Sequence, residues 1–442
     1  MIEKSQRKIH IGVFGTYGFE NMGDAAVADA TIAGLKRHIP NAEIVGICQQ
    51  PENVALRHHI KAYSIHRVFL TKTQTAGSDG IPVDKVDNHG GSSFKVRIIG
   101  FIKTSKFIFR LAKVVQNTLL ILSLIVKEIK FSFVVLERVK TLDLMVMSGS
   151  GQLNEEWGGA WRYPFGLFRW CLLARLSGCK IAFLSVGAGV IDTFLGKFFC
   201  LSALRLAHYR SVRDIRSKKL VESWRVGAVQ LVPDMAFSMK FKIDETPTST
   251  DGVFTVGINP ISFCDPRTWI VSDQNKYDSY VEKISKFCDW LLSEGYSLVF
   301  IPNELVMDNR AIDDILEKID PLLVDSTRVI RPEIVNYPDV FRSYARCNYV
   351  ISSRFHGLLF SFMSQLPVIA LAHHYKYFEL ADEMGQKKYC LDIANFNLDE
   401  LKLLFKDLVV NEKSIKDAIK LNSDNYSGIV ENQYMKMRDF VV

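Results

Sequence analysis

The chain has 442 residues, of which 48% are hydrophobic and 23% are charged. This length is sufficient for two domains, and this composition excludes an intrinsically disordered chain. The formal net charge of +7 is concentrated in residues 95–140, which hold ten Lys or Arg against two Glu. Because the rest of the chain is close to neutral, the charge pattern favours a local partner over a general nucleic-acid-binding surface.

The eight cysteines are scattered and form no Cys-x-x-Cys pair. The sequence therefore predicts neither a zinc site nor a disulfide scaffold, and a reducing cytoplasm is the simplest location. The N-terminus passes directly into a predicted strand without the apolar core of a signal peptide. We expect a cytoplasmic protein without a bound metal.

The chain opens with a predicted strand, Ile9–Phe14, and a helix from about Ala25 to His38. Between them lies a glycine-rich loop in which Gly18 permits close approach of a ligand, while Asn21 and Asp24 lie where the helix begins. The glycine spacing is not that of a dinucleotide-binding loop, which argues against a nicotinamide enzyme. A plain helix cap is an equally good interpretation of Asp24.

The basic segment, residues 95–140, follows a polar loop at 71–94. The thirteen uncharged residues 114–126 are too few to span a bilayer. One hypothesis is an amphipathic hairpin or long helix that rests on the anionic inner face of the cytoplasmic membrane. The alternative is an apolar helix packed in the N-terminal domain or in a dimer interface. Four cations are predicted to share one helical face: Lys103, Lys106, Arg110 and Lys113.

Three further predicted strands each end in small or polar residues, and helical stretches lie between them. Such alternation predicts a parallel sheet whose ligand-binding loops gather at one edge. A simple turn is the alternative at the corner after strand 142–147. The corners hold Gly149 and Gly151 after strand 142–147, Gly187 and Gly189 after strand 180–186, and Arg213 and Asp214 after strand 209–212.

Residues 241–252 are rich in Thr, Ser, Asp and Pro, and we predict that they link two domains. The N-terminal domain then comprises residues 1–240 and the C-terminal domain residues 253–442. The alternation of strand and helix resumes near Phe254 and continues to a predicted strand at Tyr349–Ile351. Residues 397–442 are helical in pattern and polar enough to wrap the outside.

A polar cluster lies in the C-terminal half where the strand Tyr349–Ile351 meets the next helix. It contains Ser353, Arg354, His356 and Gly357, and a second apolar strand follows the helix. Free N–H groups at a helix start attract anions, and the Arg and His side chains add two more donors. Taken singly, the same residues are explained as a helix cap, a surface charge and a buried polar group. Their combination favours a seat for a phosphate or carboxylate.

Several of these stretches together resemble the polysaccharide pyruvyl transferase family. The resemblance spans most of the chain outside residues 71–140. It implies two Rossmann-like domains facing a cleft, as in the GT-B glycosyltransferase fold, and transfer of pyruvate from phosphoenolpyruvate onto a sugar as a ketal. The stretches that carry it are Gly15–Asp24, Asp143–Gly151, Ser185–Gly189, Ser211–Asp214, Ser353–Leu358, Leu366–Leu371 and Lys376.

The resemblance also implies roles for individual residues. Arg213 and Arg354 would hold the anionic groups of phosphoenolpyruvate, and His356 would bind phosphate or donate a proton. Asp24 is the candidate base, although the acidic residue that often follows it in the family is Ala25 here. Lys376 would counter charge. The remaining expected binding residues are Asn21, Gly18, Gly149, Gly151, Ser353 and Gly357, and no cofactor is expected besides the donor substrate.

Two other functions fit part of the same pattern. A two-domain glycosyltransferase that uses a nucleotide sugar needs a similar cationic seat for a diphosphate. A catalytically inactive scaffold of a glycan-assembly complex would tolerate loss of Arg354 and His356. We expect a glycan or lipid-linked saccharide as acceptor and no nucleic acid, and the sequence leaves the oligomeric state open.

Overall fold

The computed structural model describes residues 7–15, 17, 21–67, 106–155, 158–239 and 253–441. Within the helix that begins at Lys106, the side chains of residues 106–116, 120 and 121 are not described. The predicted loop at 71–94, the predicted linker at 241–252 and Gly18 lie outside the described residues, so the proposed domain boundaries stay predictions.

The first sheet has seven parallel strands in the spatial order β3-β2-β1-β4-β5-β6-β7. Its central strands are apolar and buried because helices cover both faces, as parallel sheets require. The strands are β1 (Ile9–Phe14), β2 (Ala42–Cys48), β3 (Lys61–Ser64), β4 (Leu144–Ser148), β5 (Lys180–Val186), β6 (Tyr209–Val212) and β7 (Gln230–Leu231). The helices are α1 (Met22–His38), α2 (Pro51–His58), α3 (Lys106–Val139), α4 (Tyr163–Leu176), α5 (Phe194–Leu206) and α6 (Ile215–Ser223).

The second sheet has six parallel strands in the order β10-β9-β8-β11-β12-β13. Its strands are β8 (Thr255–Asn259), β9 (Ser297–Phe300), β10 (Val329–Ile330), β11 (Tyr349–Ser352), β12 (Val368–Ala372) and β13 (Cys390–Asp392). The helices of this half are α7 (Gln274–Ser293), α8 (Leu305–Leu316), α9 (Tyr337–Tyr344), α10 (Phe355–Met363), α11 (Tyr375–Glu383), α12 (Leu398–Val410) and α13 (Glu412–Val441).

The start of α1 differs from its predicted position. The helix begins at Met22, three residues before the predicted start, because the Asn21 side chain accepts hydrogen bonds from the backbone N–H groups of Gly23 and Asp24. Asn21, and not Asp24, is therefore the cap. The Asp24 side chain is consequently available for another contact.

The C-terminal helix α13 does not simply wrap the outside, and this correction has a clear physical cause. Val430, Tyr434 and Met437 are fully buried. They belong to a core that is continuous with residues of β1 and α1 in the first half of the chain. The Tyr434 hydroxyl donates a hydrogen bond to the carbonyl of Ala30, at 2.9 Å. Helix α13 therefore returns from the second sheet to the first and ties them together.

Within the described residues, none of the helices has the length and hydropathy needed to cross a membrane. The finding includes α3, whose sequence combines apolar and cationic residues over 34 positions.

Candidate active site

The corner between β11 and α10 is an open helix start. Arg354 is the N-cap residue of α10, and within the described residues no side chain caps the helix. The two preceding serines bond elsewhere: Ser352 Oγ donates to Asn259 Oδ1 at 2.8 Å, and Ser353 Oγ lies 2.9 Å from the Tyr280 hydroxyl. The helix-cap interpretation of the serine pair is therefore wrong, and the first-turn N–H groups of α10 face the site without a side-chain cap.

Gly357 is required by the close approach of Asn259. A Cβ atom at position 357 would lie 1.7 Å from Asn259 Oδ1, so a larger residue would displace that side chain. Asn259 is fully buried at the end of β8, and its Nδ2 donates to Asn303 Oδ1 at 3.1 Å. The side-chain amides of Asn259 and Asn303 support the corner between β11 and α10, and a glycine at position 357 lets the start of the helix pack against them.

Arg354 is held by a buried carboxylate. Its Nε donates to Asp308 Oδ1 at 2.7 Å, and the other oxygen of Asp308 accepts the backbone N–H groups of Asn303 and Glu304 at 2.9 and 2.8 Å. Burial of the guanidinium opposes its charge, but Asp308 outweighs burial and raises the pKa of Arg354. Arg354 therefore keeps its charge in a fixed orientation beside the start of α10.

His356 joins the two halves of the molecule. A Cβ atom at Gly23 would lie 2.0 Å from His356 Nδ1, so α1 and α10 meet here because position 23 has no side chain. The His356 side chain is half-buried, and its buried Nε2 has no hydrogen-bond partner within the described residues. Burial lowers the pKa of His356; Arg213 and Lys376 lower it further, while Asp24 and Asp234 oppose the shift. The ring is thus a neutral group with an unused polar atom among four charged side chains.

Arg213 follows β6 and is positioned from two sides. Its Nη1 donates to Asp234 Oδ2 at 2.8 Å, and both side chains are almost completely buried. Its guanidinium lies 5.2 Å from the centre of the Phe355 ring, and Lys376 Nζ lies 4.8 Å from the same ring. The phenylalanine of the Arg-Phe-His stretch therefore holds two cations near its faces. Burial opposes the charge, but Asp234 raises the pKa of Arg213.

Asp24 faces the glycine-containing turn after β4. Ser150 Oγ donates to Asp24 Oδ1 at 2.7 Å. The backbone at Gly149 and Ser150 is left-handed, with φ of 39° and 54°. A Cβ at Gly149 would also lie 2.5 Å from a Val27 methyl group, so glycine is needed there. The turn therefore brings a hydroxyl to the candidate base.

A cavity of about 680 Å³ opens beside this cluster. Its walls come from the loops after β4, β5 and β6 and from the start of α11, and its one carboxylate is Asp214, which caps α6. This cavity has the size and cationic lining expected for an anionic small molecule with a second, larger substrate. Five cations line it: Lys197, Arg213, Arg216, Lys219 and Lys376.

The structure places five of the predicted residues at or beside this cavity. Arg213, Lys376 and Gly151 line the cavity. His356 and Asp24 lie beside it, within electrostatic reach of Arg213. Arg354 is not among the residues that line the cavity, since its guanidinium turns to Asp308 below the start of α10.

Sequence reasoning did not identify the partners that orient these groups. They are polar residues at or shortly after the ends of strands. That position was the feature of the sequence that could have identified them. It was not used because each is a common residue in an otherwise ordinary loop. The residues are Asn259 at the end of β8, Asn303 after β9, Asp308 in the first turn of α8, and Asp234 after β7. Lys197, Arg216 and Lys219 were also missed because they lie on helices rather than at strand ends.

In the part of the chain that the structure describes, His, Cys, Asp and Glu form no group of three suited to a metal ion.

The model of the family "Polysaccharide pyruvyl transferase" matches residues 21–375. The chain belongs to this family. The match begins at the cap of α1 and ends at the start of α11, so it contains Asp24, Arg213, Asp234, Arg354 and His356, whereas Lys376 lies one residue beyond it. A search of curated protein sequences finds no match.

Solved structures share the architecture at low sequence identity. The UDP-GlcNAc 2-epimerase from Neisseria meningitidis is 12% identical, with a TM-score of 0.53 over 97% of this chain and 98% of that chain. A glycosyltransferase from Rickettsia africae is 11% identical, with a TM-score of 0.51 and coverages of 98% and 99%. A UDP-glucose: anthocyanidin 3-O-glucosyltransferase in complex with UDP is 12% identical, with a TM-score of 0.51 and coverages of 99% and 99%. The polysaccharide pyruvyl transferase family member described here therefore has the predicted GT-B-like fold of two Rossmann-like domains.

Proposed function

We propose that the protein transfers pyruvate from phosphoenolpyruvate onto a sugar of a cell-surface or exopolysaccharide precursor and forms a ketal. Family membership supports the reaction class. The single observation that carries the donor assignment is the cluster of Arg213, Lys376 and His356 around the Phe355 ring, beside a cation-lined cavity. A donor with a phosphate and a carboxylate needs several fixed cations. This cluster supplies two, Arg213 and Lys376, and three more line the cavity.

The chemistry requires one proton donor and one proton acceptor. Protonation of the methylene carbon would give an oxocarbenium-like carbon, which a sugar hydroxyl attacks as it loses its proton. The phosphate then leaves, and a second hydroxyl closes the ketal and gives its proton to the departing phosphate, so that donor and diol yield ketal and inorganic phosphate. We propose His356 as the phosphate ligand or the proton donor, since its Nε2 is buried without a partner in the described chain. Because burial lowers the pKa of the ring, proton donation requires that a bound anion first raise it. Asp24 is the candidate acceptor of the hydroxyl proton.

Arg354 has a positioning role in this proposal. Its side chain pairs with Asp308, and its backbone begins α10. The ion pair would hold the helix start, and thus its N–H groups, toward the donor phosphate. We propose Ser353, Gly357, Asn21, Gly149 and Gly151 as parts of the same binding edge.

The test is incubation with phosphoenolpyruvate and a glycan diol acceptor, followed by phosphate release and mass analysis of the glycan. The wild type should release phosphate and add the mass of a pyruvyl ketal. Lys376→Ala should raise the KM for phosphoenolpyruvate about tenfold or more, because it removes a cation near the donor. The matched control is Lys286→Ala, since Lys286 is an exposed lysine of α7 that pairs only with Glu282 among the described residues. Equal behaviour of the two variants would contradict the donor site.

A nucleotide-sugar glycosyltransferase is the second candidate, and one observation favours it. The cavity holds more cations than a phosphate and a carboxylate require, and such a lining also suits a diphosphate. The glucosyltransferase with the similar fold is a complex with UDP. In the same assay with UDP-sugars, a glycan mass gain of a hexose and no phosphate release from phosphoenolpyruvate would establish this activity instead.

We propose that the protein works in the cytoplasm on a glycan or lipid-linked saccharide, with peripheral contact to the inner face of the membrane. The basic segment at 95–140 is the sequence feature that supports this location. The cations Lys103, Lys106, Arg110 and Lys113 belong to the part of the chain whose side chains the structure leaves undescribed, so the contact is argued below from other residues.

A further inference from the structure

Helix α3 carries large apolar side chains on the face that points away from the protein. Five of them recur at spacings of three and four residues, which places them on one side of the helix. We call this set the apolar stripe. It consists of Leu119, Leu122, Val126, Ile129 and Phe133, with exposed fractions of 62, 53, 50, 52 and 64%.

The opposite face of α3 holds the helix on the N-terminal domain. Val135 and Val139 are fully buried there, and Glu128 receives hydrogen bonds from Arg169 at 2.7 Å and Arg67 at 3.3 Å. These contacts therefore attach α3 to the N-terminal domain without burial of the apolar stripe. Soluble surfaces rarely leave so many contiguous large apolar side chains in water, so the stripe indicates a surface that something covers.

The apolar surface continues beyond α3. A groove of about 610 Å³ runs beside the helix and is lined by Ile125, Ile129, Trp161 and Phe165. Trp161 is 65% exposed, and its ring lies 5.4 Å from that of Phe199 on α5. Phe194 and Phe198 on α5 are exposed as well. We call Trp161, Phe194 and Phe198 the aromatic ridge.

The charged residues beside the apolar stripe indicate which kind of partner covers this surface. Lys127 and Lys130 are exposed beside the stripe, and neither forms an ion pair within the described chain. The two acidic residues of α3 are already engaged, Glu128 with Arg169 and Glu137 with Lys140. The sequence from 95 to 127 contains no Asp or Glu at all. A second copy of the stripe would bring together two helices of like charge, whereas an anionic lipid surface would neutralise them.

We infer that the apolar stripe and the aromatic ridge insert into the interface of a bilayer that contains anionic lipids. Apolar side chains enter the acyl boundary, exposed aromatic rings lie at the headgroup level, and Lys127 and Lys130 face lipid phosphates. The inference gives the proposed membrane contact a defined surface, and it does not depend on the pyruvyl transfer reaction. Lys197, which lies between Phe194 and Phe198 on α5, lines the cation-rich cavity, so this docking would hold the cavity beside the membrane.

The test is flotation of the full chain with phosphatidylcholine vesicles that contain or lack phosphatidylglycerol. The wild type should float with the phosphatidylglycerol vesicles, and raised ionic strength should weaken that binding. The variant Leu122→Gln/Ile129→Gln/Phe133→Gln should not float. Lys127→Glu/Lys130→Glu should weaken binding about tenfold or more, and only to the anionic vesicles.

The matched control carries the same number of changes at exposed apolar residues of the C-terminal domain: Ile270→Gln, Leu322→Gln and Leu403→Gln. It should float like the wild type. Failure of the wild type to float, or equal flotation of the stripe variant, would overturn the inference.

If a second copy or another segment of the chain covers the stripe, the variant will float like the wild type but change in measured mass or in melting temperature. Pyruvyl transfer to a free, soluble glycan should be unchanged in the stripe variant, so failure of this inference and failure of the proposed function are separable.

Discussion

The ion pair between Arg354 and Asp308 shows how one buried residue determines the shape of the site. Asp308 is fully buried and binds the guanidinium together with two backbone N–H groups. The pair is costly to break because removal of one partner leaves the other charge without compensation. The ion pair contributes to the site by orienting the start of α10, and not by contact with the cavity.

We predict that Asp308→Ala lowers the free energy of unfolding by about 3 to 5 kcal/mol. The reason is that Arg354 and the N–H groups of Asn303 and Glu304 lose their common acceptor. Urea denaturation followed by circular dichroism measures this loss. The double variant Asp308→Ala/Arg354→Met should recover part of it, because no charge is then left unpaired. A double variant less stable than Asp308→Ala would contradict this account.

His373 provides a prediction about pH. Burial, with further contributions from Lys376 and Arg354, lowers the pKa of His373 from 6.5 to about 3. Above pH 6.5, His373 is neutral in both the folded and the unfolded chain, so it does not make stability depend on pH in that range. As pH falls below that value, only the unfolded chain takes up the proton, and the folded state loses relative stability.

We therefore expect His373→Gln to reduce the acid sensitivity of stability. Between about pH 6.5 and about pH 4.5, the wild type should lose on the order of 2 kcal/mol more unfolding free energy than the variant. Urea titrations of both proteins at the two pH values provide the comparison. Parallel losses in the two proteins would show that other groups control the acid response.

At the scale of elements, the site depends on how closely two helix starts approach. Helices α1 and α10 come from different sheets, and they meet where Gly23 faces His356. The backbone of the two halves is also bonded directly, since Met22 N donates to the carbonyl of Asn303 at 2.8 Å. The imidazole is therefore positioned by the interface and not by its own helix alone.

We predict that Gly23→Ala reduces the proposed pyruvyl transfer about a hundredfold, because the added methyl group displaces His356 from the cluster. The measurement is phosphate release from phosphoenolpyruvate with saturating acceptor. The matched control is Gly428→Ala in α13, where nothing lies within 4 Å of the added carbon. This control should keep full activity and gain about 0.5 to 1 kcal/mol of stability, since alanine favours the helix. Full activity of Gly23→Ala would refute the positioning role of this contact.

At the scale of the whole molecule, α13 couples the two sheets. Gln433 is buried and accepts hydrogen bonds from Tyr209 and Ser211 of β6, while its amide nitrogen donates to Ser185 of β5. The buried core beneath α13 includes residues of both halves. Two sheets that share a core and a connecting helix are expected to unfold together.

We predict that Tyr434→Ala lowers the unfolding free energy by about 3 to 5 kcal/mol, because it leaves a cavity between α13 and α1. The loss should also separate the unfolding of the two halves. Tryptophan reporters test this: with only Trp170 or only Trp290 retained, the two transitions should coincide in the parent and diverge in the variant. Met435→Ala on the exposed side of α13 is the control and should change stability by about 0.5 kcal/mol or less. Divergent transitions in the parent would contradict the shared core.

Local signals in the sequence determined the parallel strands, the helix between β11 and β12 and the family. Apolar runs bounded by glycine or polar residues gave β1, β5 and β6 their observed bounds, because a buried parallel strand needs an uninterrupted apolar stretch. The Arg-Phe-His-Gly stretch indicated the position of the proposed anion seat. These properties depend on residues close in sequence, which is why a sequence alone was sufficient for them.

The tertiary structure alone decided which charges meet. Asp308 lies 46 residues from Arg354, Asp234 lies 21 from Arg213, and Gly23 and His356 come from opposite halves of the chain. The periodicity of the sequence does not reveal such pairs, because burial and electrostatic compensation act between elements that meet only in the tertiary structure. The same reason explains α13, whose polar composition concealed the few apolar residues that close the core.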